Sequence, residues 1–316
     1  MTRRSARAPA ENSRPGGNRR FALLGLATLA LLAALGTAVD WRELSAAFSR
    51  AHLFPLFAAL VLTLFFPVLN ALRWLTVLRA AGIGVSFGRC FELTMAAWPL
   101  GTVTPGKSGE FVKGLAVPSR RLGLGTVLTE RVLDVLVLGI FGLVAGLWWG
   151  HGLAMAGGAL GVLAAGGVLL GAPLALSLVP EGKLRERLEA FLSVSPMLMA
   201  RPRLLVACLL ASALNWFLSM GQLWYLLGAF GAELPLGLIA AVLPAAIFVG
   251  LLPVTLAGAG TRDAALLVLA GPAAAPAGVL AASIVYTFFG YFLPGFFGLF
   301  FLRALTAPAG PAKASP

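Results

Sequence analysis

GTVTPGKS, residues 101–108, has the spacing of a loop that holds nucleotide phosphates, with glycines followed by a lysine and a hydroxyl. That chemistry needs a buried strand before the loop and a helix after it, so that amides and lysine wrap the phosphates at a helix N-terminus. Here the preceding residues, CFELTMAAWPL, form an apolar helix-like run, and nowhere does the chain alternate strand and helix patterns as a parallel sheet requires. The context argues against nucleotide hydrolysis, and Lys107 needs another role.

Lys107 is one of several charged residues in apolar surroundings. Lys107, Glu110 and Lys113 lie in or just after a stretch broken by Pro99, Gly101, Pro105, Gly106 and Gly109. An ionised group at a bilayer centre costs about 2.5–3.5 kcal/mol even on lenient insertion scales. Two readings fit: the residues line a polar cavity, or the break is shallow and they sit in interfacial water. TERVLD (129–134) puts Glu130 and Asp134 on one helical face with Arg131 beside them. These form an internal ion-pair cluster, or the acids complement the dipole of a helix start.

Arg262 and Asp263 close a second break, GAGTRDAALLVLAG, in which Gly258 and Gly260 permit unusual backbone and the residues after them can start a half-helix. A half-helix N-terminus attracts anions, and with Lys107 and Arg262 it suits a phosphate-bearing headgroup. The alternative is an Arg–Asp pair that holds the loop shut. Asn70 and Arg73 either hydrogen-bond into the same cavity or mark an ordinary helix end with a snorkelling arginine. Trp148, Trp149, Trp216 and Trp224 are assigned to interfaces or helix packing.

The elements that must carry these residues are apolar. Of 316 residues 59% are hydrophobic and 11% charged, where soluble domains carry about 25% charged residues. With a mean hydropathy of +0.92, this is an integral membrane protein. The formal charge of +12 sits at the ends of apolar segments, which fits cytoplasmic loops and anionic lipid surfaces. No recognition motif for nucleic acid accompanies it. Cys90 and Cys208 are too few for a disulfide framework, and His52 and His151 stand alone, so no metal, cofactor or catalytic group is expected.

Full spans are predicted at 21–39, 53–72, 124–149, 152–179, 204–230 and 277–302. Residues 1–20 and 304–316 read as disordered tails, the first basic and cytoplasmic, flanking a single transmembrane domain over 21–303. An amphipathic helix is expected in the loop 180–203. Arginines flank the broken stretch 90–117 on both sides, so it must enter the membrane and return, and placing Arg303 inside requires 235–271 to do the same from the outer face. The expected fold is all-α and polytopic: six full spans and two broken re-entrant segments from opposite faces, with both termini cytoplasmic, in the cell (inner or plasma) membrane. GTVTPGKSGEF (101–111) can be laid on LPVTLAGAGTRDA (252–264), the kind of match an inverted repeat would leave.

NALRWLTVLRAAG (70–82), TPGKSGEFVKGLAV (104–117), TERVLDVLVLG (129–139) and LLPVTLAGAGTRDAALLVLAG (251–271) resemble, in order, blocks of the lysylphosphatidylglycerol synthase transmembrane-region family of flippase-like proteins. The resemblance covers about 20–303. It puts the family's polar elements on Gly109 and Glu110, on Glu130, Arg131 and Asp134, and on Gly258, Gly260, Arg262 and Asp263. Asp263 stands where the family usually shows Glu, which keeps the charge and shortens its reach. The resemblance implies the membrane half without the soluble aminoacyl-transferase domain, and a non-enzymatic flippase-like role: moving a phospholipid, such as an aminoacylated phosphatidylglycerol, or a polyprenyl-type lipid between leaflets. A separate lipid-modifying enzyme is then an expected partner, and nucleic acid is not. Two other readings stand beside it, a membrane scaffold or accessory subunit of cell-envelope biosynthesis and a membrane-embedded transferase. The expected substrate-binding set is Asn70, Arg73, Lys107, Gly109, Glu110, Glu130, Arg131, Asp134, Gly258, Gly260, Arg262 and Asp263.

Overall fold

The computed structural model describes residues 16–252, 254–255 and 258–307, and every regular element among them is helical. In chain order the α-helices, with the 3-10 turn that follows α5, are α1 (Gly16–Ala38), α2 (Trp41–Ser49), α3 (Leu53–Thr63), α4 (Phe65–Ala80), α5 (Phe87–Val103), the turn (Pro105–Phe111), α6 (Val112–Leu115), α7 (Arg120–Trp148), α8 (Gly152–Ser177), α9 (Lys183–Leu192), α10 (Val194–Met199), α11 (Pro202–Ala229), α12 (Leu236–Gly250), α13 (Thr261–Ala270), α14 (Pro276–Thr287) and α15 (Leu293–Gly298).

Five helical runs are long and apolar enough to cross a membrane: Leu53–Ala80, Arg120–Trp148, Gly152–Gly171, Pro202–Ala229 and Pro276–Leu305. They coincide with five of the six expected spans. The first expected span falls in α1, whose apolar part, Gly25–Leu35, is shorter. Because α1 begins at Gly16, helix starts inside the expected tail; the rest of that tail (1–15) and 308–316 lie outside the described residues. Residues 304 and 305 likewise close a 3-10 run, Leu299–Leu305, rather than opening a tail.

The second span does not stop at residue 72. Its two halves, α3 and α4, meet at Leu64, where Pro67 cannot donate to the carbonyl of Thr63, and the helix then continues to Ala80. The arginine taken for its end, Arg73, is 1% exposed and lies inside the run, two turns before Ala80.

Two segments turn back. The first goes in as α5, breaks at Thr104, passes through Gly106 and Lys107 (both φ 57°) and returns as the 3-10 turn and α6. The return leg packs backbone to backbone on α7: a Cβ on Gly114 would lie 2.6 Å from the carbonyl oxygen of Gly123. The second goes in as α12 and returns as α13, and Gly258 (φ 72°) closes it, since a Cβ there would lie 2.7 Å from the carbonyl oxygen of Gly250. The preceding residue, Ala257, is outside the described set, as are Pro253 and Leu256.

Hydrogen bonds identify the two ends of the bundle. At one, Arg89 Nη2 donates to Ala304 O (2.7 Å) and Arg201 Nη1 to Arg79 O (2.7 Å). At the other, His52 N donates to Ala229 O (3.0 Å) and His151 Nε2 lies 3.1 Å from Leu269 O. α7 joins the ends over about 43 Å at the usual helical rise. The first hairpin starts at the former end and the second at the latter, and their tips meet between: a Cβ on Gly106 would be 3.6 Å from Leu251 O. Large apolar side chains such as Leu160, Leu163 and Leu170 face outward on α8, as a lipid-facing surface demands.

Candidate functional site

Glu130 is the centre of the buried charge. Its place on α7, about 15 Å along from Arg120, puts it beside the returning leg of the first hairpin and opposite α4. Oε1 accepts from Arg73 Nε (3.1 Å) and Nη2 (2.8 Å), and Oε2 accepts from Lys113 Nζ (2.7 Å). Glu130 is fully buried and Arg73 and Lys113 are each 1% exposed. One helical turn on, Asp134 Oδ1 accepts from Arg73 Nη1 (2.5 Å) and from Trp216 Nε1 (2.9 Å). Asn70 Oδ1 at 2.7 Å and Ser212 Oγ at 3.5 Å complete the guanidinium's partners. Charges removed from water are tolerated only when their lone pairs and protons are met in this way.

Around this core is a more accessible layer. Arg131 Nη2 pairs with Glu110 Oε2 at 2.5 Å, and its Nη1 lies 3.6 Å from Asp134 Oδ2. Lys107, next along the hairpin tip, has no carboxylate within ion-pair distance among the described residues; its ammonium lies 4.4 Å from the centre of the Tyr291 ring. It is also the one described non-glycine residue with positive φ. A left-handed lysine costs about 1 kcal/mol relative to a relaxed backbone.

The second hairpin brings Arg262 to the same place. Its guanidinium carbon lies 4.6 Å from the Tyr291 ring centre and 5.3 Å from that of Tyr286. Nη2 donates to Thr287 Oγ1, and the buried Nε has no partner. Asp263 is only loosely paired with it, 3.9 Å from Oδ1 to Nη2. Asp263 instead serves the backbone: Oδ2 accepts from Gly260 N (2.8 Å) at the start of α13, while Oδ1 accepts from the Ser283 hydroxyl. The half-helix expected after the second break is therefore α13, capped by its own aspartate.

Between the tips is an open cavity of about 130 Å³. Asn70, Lys107, Glu110, Arg131, Asp134, Gly258 and Arg262 line it. Arg73, Glu130 and Asp263 stand behind the wall. Gly109 and Gly260 act through the backbone: Gly109 N donates to Thr104 Oγ1 at 2.6 Å, and Gly260 takes φ 88° before α13.

The charges at the first break thus line a cavity or brace its wall, and TERVLD forms an ion-pair cluster inside a helix rather than a dipole-complementing start. The assignment of Trp216 needs correcting. Trp216 lines the cavity and hydrogen-bonds Asp134, and Trp74, under Lys113 at 4.7 Å, donates to Thr126 Oγ1 (2.9 Å). Ser219, Gln222, Tyr286 and Tyr291 were missed altogether. A signal existed for part of this wall: Ser212, Asn215, Ser219 and Gln222 follow one another at three- and four-residue spacing down one face of α11, and all are buried.

GTVTPGKS offers no phosphate loop, since helix α5 runs through its first residues and no strand precedes it. Among the described residues no group of His, Cys, Asp and Glu could hold a metal ion. A search of curated proteins finds no match to the chain. The family model described as the lysylphosphatidylglycerol synthase TM region matches residues 22–298, from α1 to the end of α15 and so across both hairpins and the whole cavity. On that match the chain belongs to the lysylphosphatidylglycerol synthase transmembrane-region family.

Proposed function

We propose that this protein is a lipid translocator in which the two hairpins are re-entrant segments and the cavity between their tips carries a polar headgroup across the bilayer midplane. Family membership supports a role in lipid handling. The observation that carries the finer reading is convergence: Lys107 and Arg262, from hairpins that start at opposite ends of the bundle, both reach the Tyr291 ring, at 4.4 and 4.6 Å. A site formed by the tips of two opposed hairpins can open toward either end if the tips move alternately, which is the geometry of alternating access.

The order of elements supports an inverted repeat. A span (α3–α4), a hairpin (α5 to α6) and a span (α7) are followed, after α8 to α10, by a span (α11), a hairpin (α12–α13) and a span (α14–α15). The first three run in the opposite sense to the second three. Arg79, Arg89 and Arg201 lie at one end of the bundle, with Arg303 next to Ala304 there, and this basic end supports reading it as the cytoplasmic face of a cell membrane. The headgroup moves through the cavity while the acyl chains follow the apolar outer surface, and no covalent step is involved. A separate lipid-modifying enzyme would supply or consume the lipid.

The test is leaflet exchange of labelled phospholipids in vesicles holding the purified chain. Exchange well above protein-free vesicles, reduced in Lys107→Ala, is the expected outcome. Well-folded protein that exchanges no lipid, yet copurifies with a cell-envelope enzyme, would favour the scaffold reading.

A further inference from the structure

We infer that His151 is a pH-sensitive clamp at the base of the second hairpin: with a neutral ring it joins the start of α8 to the end of α13, and with a protonated ring it stays on α13 and lets the first turn of α8 go. The clamp lies at the end of the bundle opposite Arg89 and Arg201, away from the cavity, and does not depend on what the cavity carries.

The α7–α8 turn holds both legs of that hairpin. Trp149 covers the entering leg: a Cβ on Gly237, in the first turn of α12, would lie 2.6 Å from its Nε1. His151 holds the returning leg, with Nε2 3.1 Å from Leu269 O in the last turn of α13. The same ring caps α8, where Nδ1 accepts from Ala154 N at 3.3 Å. A carbonyl needs a proton on Nε2 and an amide N–H needs a bare Nδ1. The two contacts together therefore specify one species, the neutral ring with its hydrogen on Nε2.

Protonation puts a second hydrogen on Nδ1, facing the Ala154 N–H, and the cap becomes donor against donor. The helix dipoles decide which contact survives: a cation is repelled by the N-terminus of α8 and attracted by the C-terminal carbonyls of α13. The imidazolium keeps Leu269 and leaves Ala154. Gly150, already at φ 62°, and Gly152, where a Cβ would meet nothing within 4 Å, flank the ring and let the turn follow it.

The elements packed here bring little other charge. α8, α12 and the part of α7 after Asp134 have no charged residue, and α13 has only Arg262 and Asp263, about 9 Å or more along the helix from Leu269. The remaining charged or imidazole side chains of this end, Asp40, Arg42, Glu43, Arg50, His52 and Glu233, make no ion pair or hydrogen bond with His151. The first hairpin is tied differently. Arg89 Nη2, on its entering leg, donates to Ala304 O (2.7 Å) and Ala307 O (3.0 Å), and a guanidinium does not lose its proton. Acid thus loosens the hold on one hairpin and not on the other.

The test uses the full chain in detergent micelles with isotope-labelled imidazole nitrogens, of which its two histidines give two sets. At about pH 8 nitrogen NMR should show His151 with a bare Nδ1 and a protonated Nε2; a proton on Nδ1 there would overturn the inference. Amide hydrogen exchange over Gly150–Gly158, corrected for its intrinsic pH dependence, reads the release. Protection in the first turn of α8 should fall about fivefold between about pH 8 and pH 5.5, the usual worth of an N-cap. His151→Asn keeps a capping oxygen that does not titrate, so its protection should stay level with pH, and His52→Gln, which removes the other imidazole, should behave as wild type. No fall in wild type, an equal fall in His151→Asn, or a fall that disappears in His52→Gln would each overturn the clamp.

Discussion

At the first hairpin Lys113 meets Glu130 at 2.7 Å and Arg131 meets Glu110 at 2.5 Å, so ions are balanced by ions. At the second, Arg262 leans on two tyrosine rings and a threonine hydroxyl, and Asp263 on a backbone amide and a serine. Both put charges where hydrocarbon would surround an unprotected group, but they leave different things over. Ion pairing consumes charge and makes a rigid brace. Neutral partners satisfy geometry and leave the field of the cation in place. The positive field of the cavity thus arises where pairing is loose, at Arg262, or absent among the described residues, at Lys107, and the paired cluster around Glu130 holds the wall in position.

The sharpest way to break this comparison is Glu130→Gln, which leaves Arg73 and Lys113 buried beside a neutral amide. Removing one member of a buried pair costs about 3–5 kcal/mol. Unfolding of the purified chain in mixed micelles should show a loss of that size. Asp263→Asn should cost less, about 1–2 kcal/mol, since the amide keeps one acceptor for Gly260 N or Ser283 but not both. A loss as large as that of Glu130→Gln would mean that Asp263 works mainly as an ion partner of Arg262.

Tyr291→Leu sharpens the other side. It removes the face shared by Lys107 and Arg262, with an expected loss of about 1–2 kcal/mol for two partly desolvated cation–π contacts. The smallest change is expected at Lys107→Gly. Glycine relieves the left-handed backbone but forfeits the contact with Tyr291, and these offset to within about 1 kcal/mol. The same unfolding measurement ranks all four variants.

Much of this arrangement was legible in the residues. Pro105 with Gly106, and Gly258 with Gly260, mark the two turning points because they interrupt apolar runs too short to cross and return as straight helices. Charges in such runs need partners, and this pointed to Glu110, Glu130, Asp134 and Arg262. Arg73 was undervalued because an arginine after an apolar run looks the same whether it snorkels or is clasped, and only the approach of α7 decides. Tyr286 and Tyr291 were invisible for a related reason. An aromatic in a spanning helix is ordinary, and its role depends on a π-helical turn, Phe288–Phe292, which rotates Tyr291 toward the two cations. The capping role of Asp263 could be read only in part, since the break it closes had first to be known as the start of α13.

The most direct test of the central claim is leaflet exchange of labelled phosphatidylglycerol by the wild-type chain and by Lys107→Gly, each shown to be folded by the same unfolding midpoint. If the cavity at the hairpin tips is the path and its unpaired cation the determinant, wild type exchanges the lipid and the variant loses about tenfold or more in rate at nearly unchanged stability. Equal rates in the two proteins, with stability matched, would contradict it.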